Sequence, residues 1–388
     1  MLIGIEASAA VIGSRTGVGT YVANMIDGLQ RLSASEEGFD LRYFTNGLPQ
    51  APGCDLSPAK TYTGGLVPSR VLWTQLGLRR SMTRADLDLC HFPNYLAPLR
   101  LPTGIPAVIT MYDMSVYRCP QYQPRKTVAV HRALIPALAR RASLILTISE
   151  SARQDILHYL GVSPERVRVI YGGIAPHFSA PFALGSPTLA DVRRHYRLDA
   201  PYLLTVGTLE PRKNHVRLVD AFTRLVEQEN IPHHLVIVGE PGWKDHPLYV
   251  RARQSRAADR IHFLGYVAAA HLPALYRGAS AFAFPSIYEG FGLPVVEAFA
   301  CGVPTLISSD PALTEVAGTG TAVVVDPHSA DDIARGLWQI VSDPMLAAQL
   351  RARGLERARA FSWDRCAAET LAIYRELLEG RPGSMKLF

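Results

Sequence analysis

Residues Ala283–Gly302 read AFPSIYEGFGLPVVEAFACG. An apolar run ends at Phe284, a loop carries Glu289-Gly290-Phe291-Gly292, and a helix-like stretch begins at Leu293 with Pro294 in its first turn, where a missing N–H costs nothing. This is strand, glycine loop, helix: one βα unit of a parallel sheet. The free N–H groups and positive dipole end of such a helix suit phosphate or a polar sugar edge. Glu289 and Glu297 flank its start, eight residues apart, and paired carboxylates at a set separation suit a ligand that carries two polyols.

The same grammar runs along the whole chain, as expected of parallel sheets with crossover helices. In the first half, strands are expected at Leu2–Ala7, Leu41–Thr45, Leu87–Phe92, Ala107–Met111, Leu144–Ile148 and Val167–Ile170, with helices at Val18–Leu32, Lys126–Arg140 and Ser149–Leu160. Ser149 is the expected N-cap of the last helix. Gly172, Gly173, Pro176, Pro181, Gly185 and Pro187 then break the rhythm. A second series follows, with strands at Tyr202–Val206, Leu235–Val238, Ile261–Leu264, Ala281–Phe284, Thr305–Ile307 and Ala322–Val325. At 388 residues the chain exceeds what one core usually supports. The expected architecture is two Rossmann-like doubly wound α/β domains, at 1–180 and 201–360. A linker at 181–200 joins them, and a C-terminal helix and tail at 361–388 returns to the first domain. Open α/β sheets bind ligands beyond the carboxyl ends of their strands, so both sets of loops are expected to face one central cleft.

Hydrophobic residues at 48% and charged residues at 19% mark a folded chain, and no apolar run reaches the roughly 20 residues that span a bilayer. Leu2–Ala7 reads as a strand and not as part of a signal peptide, so a cytoplasmic location is expected. The five cysteines are irregularly spaced without a C-x-x-C pair, which argues against a disulfide framework and a zinc site; reduced, buried thiols are expected. Residues 1–180 carry 18 Lys and Arg against 12 Asp and Glu, whereas 181–388 carry 22 against 22, so the excess of +6 lies in the first half. A basic half suits nucleic acid, an anionic membrane or a phosphorylated substrate. The aromatic-studded basic strands of a nucleic-acid surface are missing, so no nucleic-acid partner is expected. The segment Arg70–Arg84, RVLWTQLGLRRSMTR, is either a membrane-surface helix or an amphipathic helix covering its own domain.

Val206–Asn214, VGTLEPRKN, follows a strand without the pattern of a P-loop. Arg212 and Lys213 are expected to open a helix there, where a planar fork and a point charge together neutralise a diphosphate. Cations oppose the dipole at a helix start, so an anionic partner is required. Gly13–Tyr21, GSRTGVGTY, is either a tight turn or, through Gly17 and Gly19, a close backbone approach to a ligand. Val108–Gln121, VITMYDMSVYRCPQ, sets Tyr112 and Asp113 at another strand end. His91 ends a strand in DLCHFPNY and is either structural or cleft-facing. Asp86-Leu87-Asp88 has the form of a metal-binding D-x-D, but its place at a strand start makes it structural, and no metal is expected.

On these motifs, with Thr147–Ser151, Phe263–Tyr266 and Phe361–Trp363, nearly the whole chain resembles the retaining glycosyltransferase family 4 of GT-B fold. The resemblance implies that Glu289 contacts the donor sugar, Glu297 the ribose, Arg212 and Lys213 the diphosphate, and Gly17 and Gly19 the donor phosphates. Gly290, Phe291, Gly292 and Leu293 join the donor loop. Glu289, Asp113, Tyr112 and Lys213 are the implied catalytic set. Family members commonly carry a histidine before the aspartate; here Tyr112 stands in its place, so either Tyr112 donates that hydrogen bond or the reaction depends less on it. The nearest likeness is to bacterial enzymes of surface-polysaccharide synthesis, mannosyl- or rhamnosyltransferases. The implied activity moves a hexose, mannose from GDP-mannose, to a glycan or lipid-diphosphate-linked saccharide with retention, the nucleotide-sugar held by the C-terminal domain 201–360 and the acceptor by the basic N-terminal domain 1–180. It needs no cofactor beyond the nucleotide-sugar substrate and occurs at the cytoplasmic face of the inner membrane if peripheral. A UDP- or dTDP-sugar donor, or a nucleotide-sugar epimerase of GT-B-like fold, is the alternative. Alanine at Glu289 or Lys213 is expected to abolish transfer and leave the fold intact.

Overall fold

Short runs of Val, Ile, Leu and Phe, buried on both faces, build two parallel sheets. The computed structural model describes residues 1–11, 17–47, 50–51, 54–63, 72–95, 97–179 and 187–379. Two units divide the chain: one holds Met1–Arg118, Arg125–Gly173 and Ser362–Phe388, the other Cys119–Pro124 and Ile174–Phe361.

The sheet of the first unit runs, edge to edge, Thr61–Thr63, Asp40–Thr45, Leu2–Glu6, Leu89–Phe92, Ala107–Thr110, Leu144–Thr147 and Val167–Val169. The six-stranded sheet of the second runs Ile261–Gly265, His234–Val238, Tyr202–Val206, Ala281–Phe284, Thr305–Ser308 and Val323–Val325. All these neighbours pair in parallel. Each sheet starts in its middle, grows to one edge and then reverses to the other, which is the doubly wound order with a ligand-binding switch point beside its first strand. In the second unit that point lies between the ends of Tyr202–Val206 and Ala281–Phe284.

Every strand expected from the sequence forms, within two residues at either end. Thr61–Thr63 and the short antiparallel pair Gln50–Ala51 with Cys54–Asp55 were not foreseen, since neither has enough apolar residues to signal a strand. Ser149 caps Glu150–Leu160 by accepting the Ala152 N–H. One stretch read as linker is ordered: Leu189–Tyr196 is a helix, because Thr188 and Asp191 form a reciprocal capping box. Trp73–Leu78 and Arg79–Arg84 are consecutive helical turns that bury Trp73, Leu78 and Met82 in the core of the first unit while Leu72 and Leu76 stay exposed. Their amphipathic face therefore covers their own domain; Arg70 lies outside the described residues. Among the described residues no helix is long and apolar enough to cross a membrane. Cys90, Cys119, Cys301 and Cys366 are buried free thiols.

The C-terminal helix Trp363–Glu379 packs against Gly17–Ser35 within the first unit. Its Tyr374 hydroxyl meets His91 Nδ1 at 2.6 Å, while His91 Nε2 meets Thr110 Oγ1 at 2.8 Å. Both ring nitrogens are thus engaged in the core, burial pushes the imidazole down to about 3, and His91 takes the structural alternative. At Gly28 the two helices approach closely: a Cβ there falls 2.7 Å from that of Ala367 and 3.2 Å from the Trp363 carbonyl oxygen. Gly28→Leu is expected to overpack this contact and lower stability by about 1–3 kcal/mol in urea unfolding, whereas Leu76→Ser on the exposed face is expected to change it little.

Candidate active site

The second unit assembles its charged residues at the switch point. Gly207 and Gly239 end neighbouring strands with φ of +153° and +154°, and a Cβ on Gly239 falls on the Gly207 carbonyl, so only glycine permits this crossing. The chain then forms a tight 3-10 turn at Pro211–Lys213, reverses at Asn214 with φ +65°, and enters the helix His215–Glu229. Arg212 and Lys213 were expected to open that helix; they sit instead on the turn before it, because the left-handed Asn214 separates the two elements. The Asn214 amide pins the turn by donating to the Pro285 carbonyl at 2.9 Å and to that of Pro327 at 2.7 Å.

The Ala283–Gly302 loop closes on this turn. Ile287 N–H donates to the Arg212 carbonyl at 2.9 Å, and the Arg212 guanidinium returns a 2.6 Å bond to the Tyr288 carbonyl. Glu289 receives both cations, Arg212 Nη1 at 2.9 Å and Lys213 Nζ at 2.7 Å. Arg212 Nη2 also meets Glu210 Oε1 at 2.5 Å, and Lys213 Nζ lies 4.7 Å from the centroid of the Phe284 ring. Side-chain exposures of 7% for Glu289, 11% for Arg212, 13% for Lys213 and 3% for Glu210 make this a buried, neutral set of two cations and two carboxylates. Burial alone raises the Glu289 carboxyl, but Arg212 and Lys213 outweigh it and hold the group at about 2. Glu289 and Glu210 are the anionic partners that the cations require.

Gly292, φ +101°, precedes the helix Leu293–Ala300, and a Cβ there meets Leu313 Cδ2 at 2.6 Å. Gly290 lies between Glu289 and Phe291 in this loop, and the buried Phe291 packs edge-on to Phe361 at 5.6 Å. Inside the helix, Glu297 accepts the Tyr276 hydroxyl at 2.9 Å, and burial lifts its carboxyl to about 7. Asp310, Glu210 and Tyr276 complete the site, although no sequence motif singles them out. Asp310 caps Pro311–Ala317 through the N–H groups of Ala312 and Leu313, also receives the backbone N–H of Glu289, and is lifted to about 7 by burial and by the Glu289 charge. Its Asp-Pro step is a legible cap; its reach to Glu289 is not. Glu210 and Tyr276 carry no local signal.

The remaining expected site residues belong to the first unit. Gly17 opens the helix Gly17–Ser35 with open space at its Cβ position, Gly19 is buried, and Ile12–Thr16 lie outside the described residues. Asp113 accepts the Ser115 N–H at 2.9 Å. Tyr112 is buried edge-on to Tyr21 at 5.3 Å, and its hydroxyl donates to the Pro93 carbonyl at 2.7 Å. That hydroxyl is committed to the backbone, and burial raises its pKa well above 10. Asp88 accepts the Leu2 N–H, which ties the D-x-D to the sheet. Among the described residues no group of three or more His, Cys, Asp or Glu has the arrangement of a metal site.

Residues 192–358 match the family Glycosyl transferases group 1, and residues 15–178 match Glycosyltransferase Family 4. The chain is similar to O-antigen chain mannosyltransferase B of Escherichia coli, 35% identical over 74% of each protein. It is also similar to the serotype-specific mannosyltransferase WbdA of Escherichia coli, 29% identical over 66% of this chain and 34% of that one. Sucrose-phosphate synthase of Thermosynechococcus elongatus shares the two-domain fold, with a TM-score of 0.76 at 22% identity over 98% of this chain and 100% of that one.

Because Glu297 and Asp310 keep their protons to about 7, against ordinary values of 4.5 and 3.8, the folded state binds protons that the unfolded chain has released. Their contribution is complete below the ordinary values and is lost as pH rises through about 7. Glu289 runs the other way: its contribution is present above 4.5 and lost as pH falls toward 2. The melting temperature is expected to fall between pH 5 and 8, and Glu297→Gln to flatten that slope; an unchanged slope contradicts the assignment. Glu289→Ala leaves Arg212 and Lys213 buried without their shared partner. It is therefore expected to cost about 3–5 kcal/mol in urea unfolding, while Glu289→Gln costs less.

Proposed function

The chain belongs to the glycosyltransferases of group 1 and family 4, and from that premise we propose that it transfers mannose from GDP-mannose to a glycan or lipid-linked saccharide during polysaccharide synthesis. The observation that carries the reading is the cation pair Arg212 and Lys213 on one turn, held at a switch point by a carboxylate that a diphosphate can replace. The relatives named as mannosyltransferases support mannose as the sugar.

In this reading the pyrophosphate takes hydrogen bonds from Arg212 and Lys213. Glu289, relieved of them, accepts hydroxyls of the mannose. Glu297 accepts a ribose hydroxyl in place of that of Tyr276, and Gly17 and Gly19 let the backbone approach the phosphates. Gly290 to Leu293 shape the loop that holds the sugar. The bond from the anomeric carbon to the diphosphate breaks, the acceptor oxygen attacks from the same face, and its proton leaves on the departing phosphate, so configuration is retained. The cations lower the barrier because they are already in position where negative charge develops. Asp113 and Tyr112 keep the catalytic roles that the family resemblance implies for them. Exposed Leu72 and Leu76, beside Arg79 and Arg80, support peripheral contact with the cytoplasmic membrane face.

GDP-mannose at ~100 times its dissociation constant is expected to stabilise the protein by about 2.7 kcal/mol, with UDP- and dTDP-sugars well below that. Lys213→Ala is expected to lose the shift and to reduce mannosyl transfer by at least ~100-fold. A shift with UDP-sugars alone, or full transfer by Lys213→Ala, overturns the reading.

A further inference from the structure

A cavity of about 240 Å³ lies beside the charged turn, within the second unit. Its walls come from Leu209–Pro211, the first turn of His215–Glu229, the segment Asp245–Leu248 and Tyr122. The last is held by its backbone, since Trp243 Nε1 donates to the Tyr122 carbonyl at 2.6 Å and Lys244 Nζ to that of Gln121 at 2.9 Å. Two lining residues carry a buried polar atom with no hydrogen-bond partner among the described residues: Glu210 Oε2 and His215 Nδ1. The residues are only 5% and 3% exposed. Leaving such atoms unpaired is costly, so a ligand that reaches and pairs them gains affinity.

The character of the lining selects the ligand. The volume is below the roughly 300–1,000 Å³ of pockets for drug-sized molecules and suits one ring. The charges of the lining answer one another, since Glu210, Asp220 and Asp245 stand beside Arg217 and Lys244, and Glu210 and Asp220 pair with Arg212 and Arg251; no net charge there calls for an ionic ligand. Burial holds the His215 imidazole neutral, at about 3, with Lys213 adding to the effect and Glu289 opposing it. The partner sought is therefore neutral and rich in hydroxyls: O–H donors for the carboxylate, either role for the imidazole, and a C–H face for Pro247, Leu248 and Tyr122. Glu210 also ties the cavity to the charged cluster, because its other oxygen accepts Arg212.

We propose that this cavity is a saccharide subsite which holds one neutral sugar ring of the acceptor glycan, its hydroxyls paired by Glu210 and His215. The proposal rests on transfer to a glycan acceptor, as argued above, and its failure is separable from the failure of that reading. Val216→Trp fills the cavity from its exposed rim, and His215→Phe removes the unpaired nitrogen at nearly constant shape without lowering the melting temperature. With GDP-mannose and α-linked mannose acceptors of one to four rings, kcat/KM of the unaltered protein is expected to rise at least about tenfold with length. Both variants are expected to flatten that rise, with the KM for GDP-mannose within about twofold. An equal rise in the variants, or transfer that ignores length in the unaltered protein, overturns the subsite and leaves the transferase reading standing. If no transfer from GDP-mannose occurs, saturation-transfer NMR of mannotriose decides independently: contact that Val216→Trp abolishes supports the subsite, and no contact with the unaltered protein overturns it.

Discussion

Everything in the second unit's site depends on one buried carboxylate facing two cations. A lysine and an arginine on the same turn repel each other, and burial strengthens the repulsion because little water screens it. Glu289 answers both, so the turn and the loop after Ala281–Phe284 are held as one piece. Such a cluster is poor evidence for stability, since removing charges from water costs about as much as their attraction returns. It is better understood as a stored site: the carboxylate keeps the cations ordered and desolvated, ready for an anion that binds them more strongly.

The backbone makes this possible at a few positions where no other residue fits. Gly239 lets one strand end cross another, and Asn214 turns left-handed so that the cations precede a helix instead of starting it. Lys213 still sits beside the start of that helix and acts on His215, so the positive dipole end adds to the need for Glu289. Asp310 repeats the economy, capping one helix while its carboxyl holds the backbone of Glu289.

In the first unit the same principle of commitment decides which polar residues are left for chemistry. His91 spends both nitrogens on Thr110 and Tyr374, and Tyr112 spends its hydroxyl on Pro93. A buried polar group without such partners is destabilising, so a tyrosine that has moved into the core must find a carbonyl. The C-terminal helix supplies part of this wall, with Trp363 edge-on to Tyr21 at 5.3 Å and Tyr374 on His91.

The doubly wound order and most strand limits were legible because they rest on local signals: apolar runs of strand length, cap residues such as Ser149, and glycines at strand ends. Glu289, Arg212 and Lys213 could also be singled out, since each stands just after a strand whose end is readable. Leu189–Tyr196 was lost among prolines and glycines, although its capping box is visible once sought. The pairing of those residues was decided only by tertiary structure. That Glu289 meets the turn 76 residues earlier, that Tyr276 reaches Glu297, and that Tyr112 turns inward all depend on which strands lie side by side. Strand order is set by packing across the whole sheet, and hydrogen bonds between distant segments leave no periodicity in the chain that makes them.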